Sequence, residues 1–96
     1  KSDLMAYATR VALTVGADVV KVHPEGSMKD FAWAVKSAGK VRVICAGGSK
    51  MPESKLLKTI KGYMKEGGSG MAIGRNVWQD KNPLKLSEKI RDVVWG

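Results

Sequence analysis

The chain has 96 residues, 44% of them apolar, with one histidine and one cysteine, and a formal net charge of +8 from 17 Lys and Arg against 9 Asp and Glu. This is enough apolar material for a core and too much for a disordered tail, and it suits one small domain or part of a larger one. A lone cysteine excludes an intrachain disulfide. No apolar stretch reaches the roughly 18 residues of a membrane helix and no signal peptide is visible, so a cytoplasmic protein without a membrane partner is expected.

Residues 3–15 read as a helix, with Leu4, Ala8, Val11 and Val15 at helical spacing and Met5 and Ala12 beside them. Gly16 ends it and a short strand, 18–22, follows. Pro24, Glu25, Gly26 and Ser27 form a loop. A second helix spans 28–38, with Phe31, Ala34, Val35 and Ala38 on one side and Gly39 at its end. Residues 41–46, VRVICA, form the next strand and hold Cys45 as a buried free thiol. After the loop GGSKMP, Pro52 opens a third helix, because its missing amide donor costs nothing in a first turn. That helix runs to Glu66 with Leu56, Leu57, Ile60 and Met64 as its stripe, and Gly67 and Gly68 terminate it. Residues 70–74 are a third strand, and RNVWQDK is a loop or short helical turn. Asn82 caps and Pro83 starts a last helix, 83–95, with the stripe Leu84, Leu86, Ile90, Val93 and Val94. Trp33 and Trp95 read as helix-packing residues.

Strands alternating with helices imply an α/β fold with a parallel sheet. No G-x-G-x-x-G or Walker pattern follows a strand, which disfavours the dinucleotide and P-loop classes. Three strands are few: a closed eight-stranded barrel takes about 250 residues. The chain is then either roughly the last three-eighths of a barrel or a three-stranded flavodoxin-like unit, and a barrel piece would need other strands to cover its edges.

In parallel α/β folds, function gathers beyond the carboxyl ends of the strands. Those ends carry Lys21 and His23, then Gly47, Gly48, Ser49 and Lys50, then Gly74, Arg75 and Asn76. By period-2 alternation Lys21 shares a face with Val19, opposite Val20 and Val22. If the valines meet helices, Lys21 points the other way. An amine enclosed there loses its proton more readily and can attack a carbonyl to form a Schiff base. The plainer alternative is a strand-end lysine that pairs with Asp18 or reaches water. Gly47 and Gly48 can bring backbone amides to an anion, Ser49 adds a hydroxyl, Gly74 gives a close turn, and Arg75 a fixed charge. Ordinary turn glycines are the alternative. His23 could move protons or merely shape the rim, and Trp78 could wall the pocket. Without a second histidine or a cysteine cluster no transition-metal site is expected, and Ser49 lacks a histidine partner for a triad. The cations are dispersed among acids without interleaved aromatics, so nucleic acid is not an expected partner.

GADVVKVHPEGSMKDFAWAVKSAGKVRVICAGGSK followed by GMAIGRNVWQDKNPLK resembles the archaeal-type class I fructose-1,6-bisphosphate aldolases and their relatives on other phosphorylated sugars. The resemblance implies that residues 1–96 are part of a (β/α)₈ aldolase barrel, covering strands six to eight. It implies cofactor-free, metal-independent aldol cleavage of fructose 1,6-bisphosphate to dihydroxyacetone phosphate and glyceraldehyde 3-phosphate. It also implies either a homo-oligomer or association with the chain that supplies the remaining strands. The family's Schiff-base lysine falls on Lys21. Its phosphate-binding groups fall on Gly47 and Gly48, and on Gly74 and Arg75. His23, Ser49, Lys50, Asn76 and Trp78 are further pocket candidates. The sequence departs from the family at Ser49, where relatives often have proline, and at the turn Pro24-Glu25-Gly26. The family's acid–base tyrosine and its aspartate near the first strand belong to other parts of the barrel, and Tyr7 and Tyr63, in helices, do not fill the tyrosine's role.

Overall fold

The computed structural model describes residues 2–24 and 27–96. Glu25 and Gly26, expected in the loop after the first strand, lie outside the described residues. The elements are α1 (Ser2–Thr14), β1 (Val19–Val22), α2 (Met28–Ser37), β2 (Arg42–Ala46), α3 (Glu53–Lys65), β3 (Gly70–Ala72), α4 (Arg75–Trp78) and α5 (Pro83–Trp95). The expected alternation of helices and strands is therefore present, and of the two readings of RNVWQDK the short helical turn forms, as α4. The strands form one parallel sheet in the order β1-β2-β3.

Period-2 alternation sorts each strand onto two faces. Val22, Val43 and Cys45 are buried with Phe31 and Ala34 of α2, its C-cap Ala38, and Met5 and Ala12 of α1. Their neighbours Val19, Lys21 and Arg42 are exposed, and Ile44, Ala46, Gly70 and Ala72 are half-buried. The helices thus cover one face and leave the other open. A second apolar cluster joins Leu56 and Ile60 of α3 to Leu86 of α5, and Met71 of β3 packs against both clusters.

Local chemistry sets the ends of the elements. Ser27 and Asp30 form a reciprocal capping box: the Asp30 N–H donates to Ser27 Oγ (3.3 Å), and the Ser27 N–H donates to Asp30 Oδ2 (2.9 Å). Asn82 caps α5 as expected, its Oδ1 accepting from the Lys85 N–H. Pro52 stands at the N-cap of α3 and not inside its first turn. After α3 the chain reverses at Gly67, whose φ of 101° favours a residue without a Cβ.

Four expectations change. The buried stripe of α1 is Met5, Ala6, Thr9 and Ala12, whereas Leu4, Val11 and Val15 are exposed. Apolar residues surround this helix almost completely, so periodicity alone leaves its rotation undetermined. Close approach to α2 decides it: small Ala12 packs in one cluster with Ala34 and Ala38, and Thr9 reaches Ala34. The Thr9 hydroxyl donates to the Ala34 carbonyl across that contact (2.9 Å). Leu84 is likewise exposed, since it lies in the first turn of α5, away from the α3 contact. Trp33 and Trp95 are exposed, not packed. The third strand stops at Ala72, because Gly74 already serves as the N-cap of α4.

Cys45 is fully buried, and burial pushes its thiol up to about 12 from 9.0. The same desolvation, with the nearby Cys45 adding to it, raises Tyr63. The folded state therefore holds protons that the unfolded chain releases, and this stabilisation is present below pH 9 and lost as pH rises from 9 towards 12. Cys45 is expected to resist a thiol reagent at pH 8 and to react at once in denaturant. The denaturation midpoint should fall above pH 9, less steeply in C45A. Phe31→Ala, which empties a fully buried ring site, should cost about 3–5 kcal/mol in chemical denaturation.

Candidate functional site

The open face of the sheet carries the candidate amine, that of Lys21. Lys21 of β1 is in register with Ile44 of β2, which is in register with Gly70 of β3. One row nearer the carboxyl ends lie Ala46 and Ala72. Lys21 therefore stands beside a floor that becomes small towards β3. His23 follows two residues on, just past the end of β1, and is exposed. Lys21 is exposed as well, so the enclosure expected from its inward-pointing position is not provided by these residues.

The loops after β2 and β3 come together at a concavity of about 280 Å³ lined by Ala46, Gly47, Gly48, Ala72, Gly74, Arg75 and Trp78. Four expected phosphate-binding residues and one pocket candidate thus share one hollow, with the methyl groups of Ala46 and Ala72 as its floor. Among the described residues Arg75 takes part in no ion pair.

The glycines answer to space here, because Gly47, Gly48 and Gly74 all lie outside the left-handed region. Gly47 donates its N–H to the Ala72 carbonyl (2.8 Å), continuing the β2–β3 ladder. A Cβ on it would meet the Ile73 Cα at 3.3 Å. Its amide is therefore committed, which corrects the expectation that both glycine amides face an anion. A Cβ on Gly48 would meet nothing within 4 Å, so its backbone is open to a ligand.

The remaining candidates divide. Asn76 is buried: its Oδ1 accepts from the Met51 N–H (2.8 Å) and its Nδ2 donates to the Ser49 carbonyl (3.3 Å). It fastens the loop after β2 to α4, and its polar atoms are used within the protein. Lys50 reaches Asp80 at 3.5 Å, and neither Ser49 nor Lys50 lines the Arg75 hollow. The Asp80 carboxyl lies below its usual range because the Asn82 N–H donates to it (2.9 Å) and the Lys50 cation is near. Asp80, Ala46 and Ala72 were not singled out from the sequence. The Asp-x-Asn-Pro spacing signals an Asx-type turn and could have revealed Asp80, whereas the alanines carry no signal outside the folded sheet.

Lys21 and His23 line a separate apolar hollow against Leu4, Met5 and Ala8 of α1, at the free edge of β1. His23 also lines a third one with Pro24, Gly47, Gly48 and Asn76. The ridge Gly47–Gly48 thus stands between the histidine side and the arginine side of the strand ends. Among the described residues no three His, Cys, Asp or Glu side chains gather to hold a metal ion, and no helix is long and apolar enough to cross a membrane.

Asn76→Ala should leave the Met51 N–H without its partner and cost about 1–3 kcal/mol. Faster hydrogen exchange at the Met51 amide, restored in N76D, which keeps the acceptor, checks the clamp.

The family model described as DeoC/LacD family aldolase matches residues 1–80. A class 1 fructose-bisphosphate aldolase of Thermoproteus tenax is 44% identical over 95 residues, covering 98% of this chain and 36% of its own. The crystal structure of an archaeal fructose 1,6-bisphosphate aldolase superposes with a TM-score of 0.93 at 43% identity, over 100% of this chain and 38% of that one. A second structure of an archaeal fructose-1,6-bisphosphate aldolase, with its catalytic lysine covalently bound to the carbinolamine intermediate of the substrate, gives 0.93 at 42% identity, over 100% and 39%. The chain spans little more than a third of the length of these relatives.

Proposed function

The chain belongs to the DeoC/LacD family of aldolases, and from this premise we propose that it carries the Schiff-base lysine and the phosphate grip of a class I fructose-1,6-bisphosphate aldolase. On this reading residues 1–96 are the C-terminal portion of a (β/α)₈ barrel, about strands six to eight. One observation carries it: Lys21 stands on the uncovered face of the sheet, while the next two strand ends build a hollow around Arg75, a cation with no ion-pair partner among the described residues.

The chemistry follows from those groups. The neutral Lys21 amine adds to the ketone carbon of a ketose bisphosphate, and loss of water gives an iminium. The electron pair of the breaking carbon–carbon bond flows into that iminium, leaving an enamine of dihydroxyacetone phosphate, and glyceraldehyde 3-phosphate departs. Arg75 and the open backbone at Gly48 hold a phosphate, so that binding energy far from the reacting bond aligns the ketone with the amine. Proton transfer to and from the substrate hydroxyl falls to groups outside these residues. The exposed open face and the free edges of β1 and β3 support a partner role for further barrel strands, or for other copies in an oligomer. A cytoplasmic enzyme is consistent with this chemistry. A related sugar-phosphate aldolase is the second reading, favoured by the departure at Pro24-Glu25-Gly26, and a substrate panel separates the two.

Borohydride reduction in the presence of dihydroxyacetone phosphate should trap a covalent adduct that peptide mapping assigns to Lys21. No adduct on the folded, intact protein would sink the aldolase reading. K21A should lose both trapping and turnover yet keep its stability within about 0.5 kcal/mol, as expected for an exposed position. R75A should raise KM by roughly 10- to 100-fold, the worth of a charged hydrogen bond to phosphate, with trapping restored at high substrate.

A further inference from the structure

We propose that Gly74 and Trp78 act as one unit: the glycine seats the indole, and the indole is the wall on which the carbon chain beside a bound phosphate rests. This rests on the phosphate-site reading of the Arg75 hollow and deepens it by naming a residue that selects phosphorylated carbon chains over free phosphate.

A left-handed φ is not what calls for glycine at position 74: φ is −121° at the N-cap of α4. Space does call for it. A Cβ there would lie 2.5 Å from Cη2, 2.7 Å from Cζ3 and 3.3 Å from Cζ2 of Trp78. The ring therefore lies against the Gly74 backbone, folded back over the helix start as side chains in a first turn lean. A side chain at position 74 would have to push the ring tip aside.

Nor is the indole there to fill a core. Trp78 is 68% exposed and belongs to neither apolar cluster. Its partners around the hollow are Ala46, Gly47, Gly48, Ala72 and Arg75. The hollow thus has an apolar side, made by the indole and two methyl groups, and a polar side, made by Arg75 and open backbone. A ligand that fits both has an anion at one end and a short carbon chain at the other. Inorganic phosphate meets only the polar side and gains nothing from the indole.

Calorimetric titration of the intact protein with inorganic phosphate and with glycerol 3-phosphate, which has the chain but no ketone to react with Lys21, tests the unit. W78A should bind glycerol 3-phosphate about tenfold more weakly, as loss of buried apolar contact predicts, and inorganic phosphate within about twofold of wild type. W78F should keep most of the preference. G74A, which must displace the ring, should match W78A, and the double variant should be no worse than W78A alone. Wild-type affinity for glycerol 3-phosphate in W78A overturns the inference. So does a G74A penalty that persists undiminished in the W78A background, since the glycine would then serve the phosphate directly. If G74A does not fold, the comparison of W78A with W78F decides. Wild-type protein that binds neither anion overturns the phosphate-site reading itself, and the inference with it.

Discussion

Everything at the strand ends depends on how closely β2 and β3 run together where they leave the sheet. The Gly47 N–H donates to the Ala72 carbonyl at 2.8 Å, one step past the last register pair, Ala46 with Ala72. A side chain on Gly47 would press on the Ile73 backbone, so glycine lets the strands pair this closely without displacement. Because the strands stay paired to that point, the loops that follow them emerge side by side. Arg75 from one loop and Gly48 from the other then line the same hollow. Neither strand alone makes a site; the ladder does.

The second constraint is that the sheet has two unlike faces. On one, β-branched and sulfur side chains pack under three helices, with Phe31 and Tyr63 in tilted contact at 4.9 Å between ring centroids. On the other, the row Lys21–Ile44–Gly70 loses bulk towards β3, and the row beyond it, Ala46–Ala72, is small throughout. The alternation that buries Val22 is the same alternation that presents Lys21, so the stability of the helix-covered face fixes the direction of the amine. Asn76 adds rigidity where the sheet ends. Its two hydrogen bonds join segments 25 and 27 residues apart, holding the loop after β2 against α4.

The sequence revealed those features that depend on near neighbours. VVKV gives the face of Lys21 by counting, and glycines after strand residues give the loops that meet at Arg75. Ser27 and Asp30 stand three positions apart, a spacing from which a capping box is readable. What stayed hidden depends on distant partners. The rotation of α1 is set by the small residues of α2, not by its own apolar period. The commitment of the Gly47 amide requires knowing that Ala72 lies beside it. Asn76 looked like a ligand-facing polar residue because it follows Arg75, yet it is turned inward by Met51 and Ser49. Trp33 and Trp95 carry the strongest apolar signal per residue and are nonetheless exposed, since bulk argues for burial only where a facing surface exists.

The two functions proposed for these residues therefore differ in what they need. The phosphate grip is assembled from consecutive β–α loops, and its positioning contacts, the Gly47–Ala72 ladder bond, the Asn76 clamp and the Gly74–Trp78 contact, all lie within the described residues. The Schiff-base chemistry asks more. Water around an exposed Lys21 competes with the ketone and screens every charge that would guide it, so the amine gains its use only when the open face is covered. The relatives, nearly three times as long, have the residues to supply such a cover. On the proposed reading, recognition of a phosphorylated chain draws only on these strand ends, while bond cleavage needs the second face of the sheet closed.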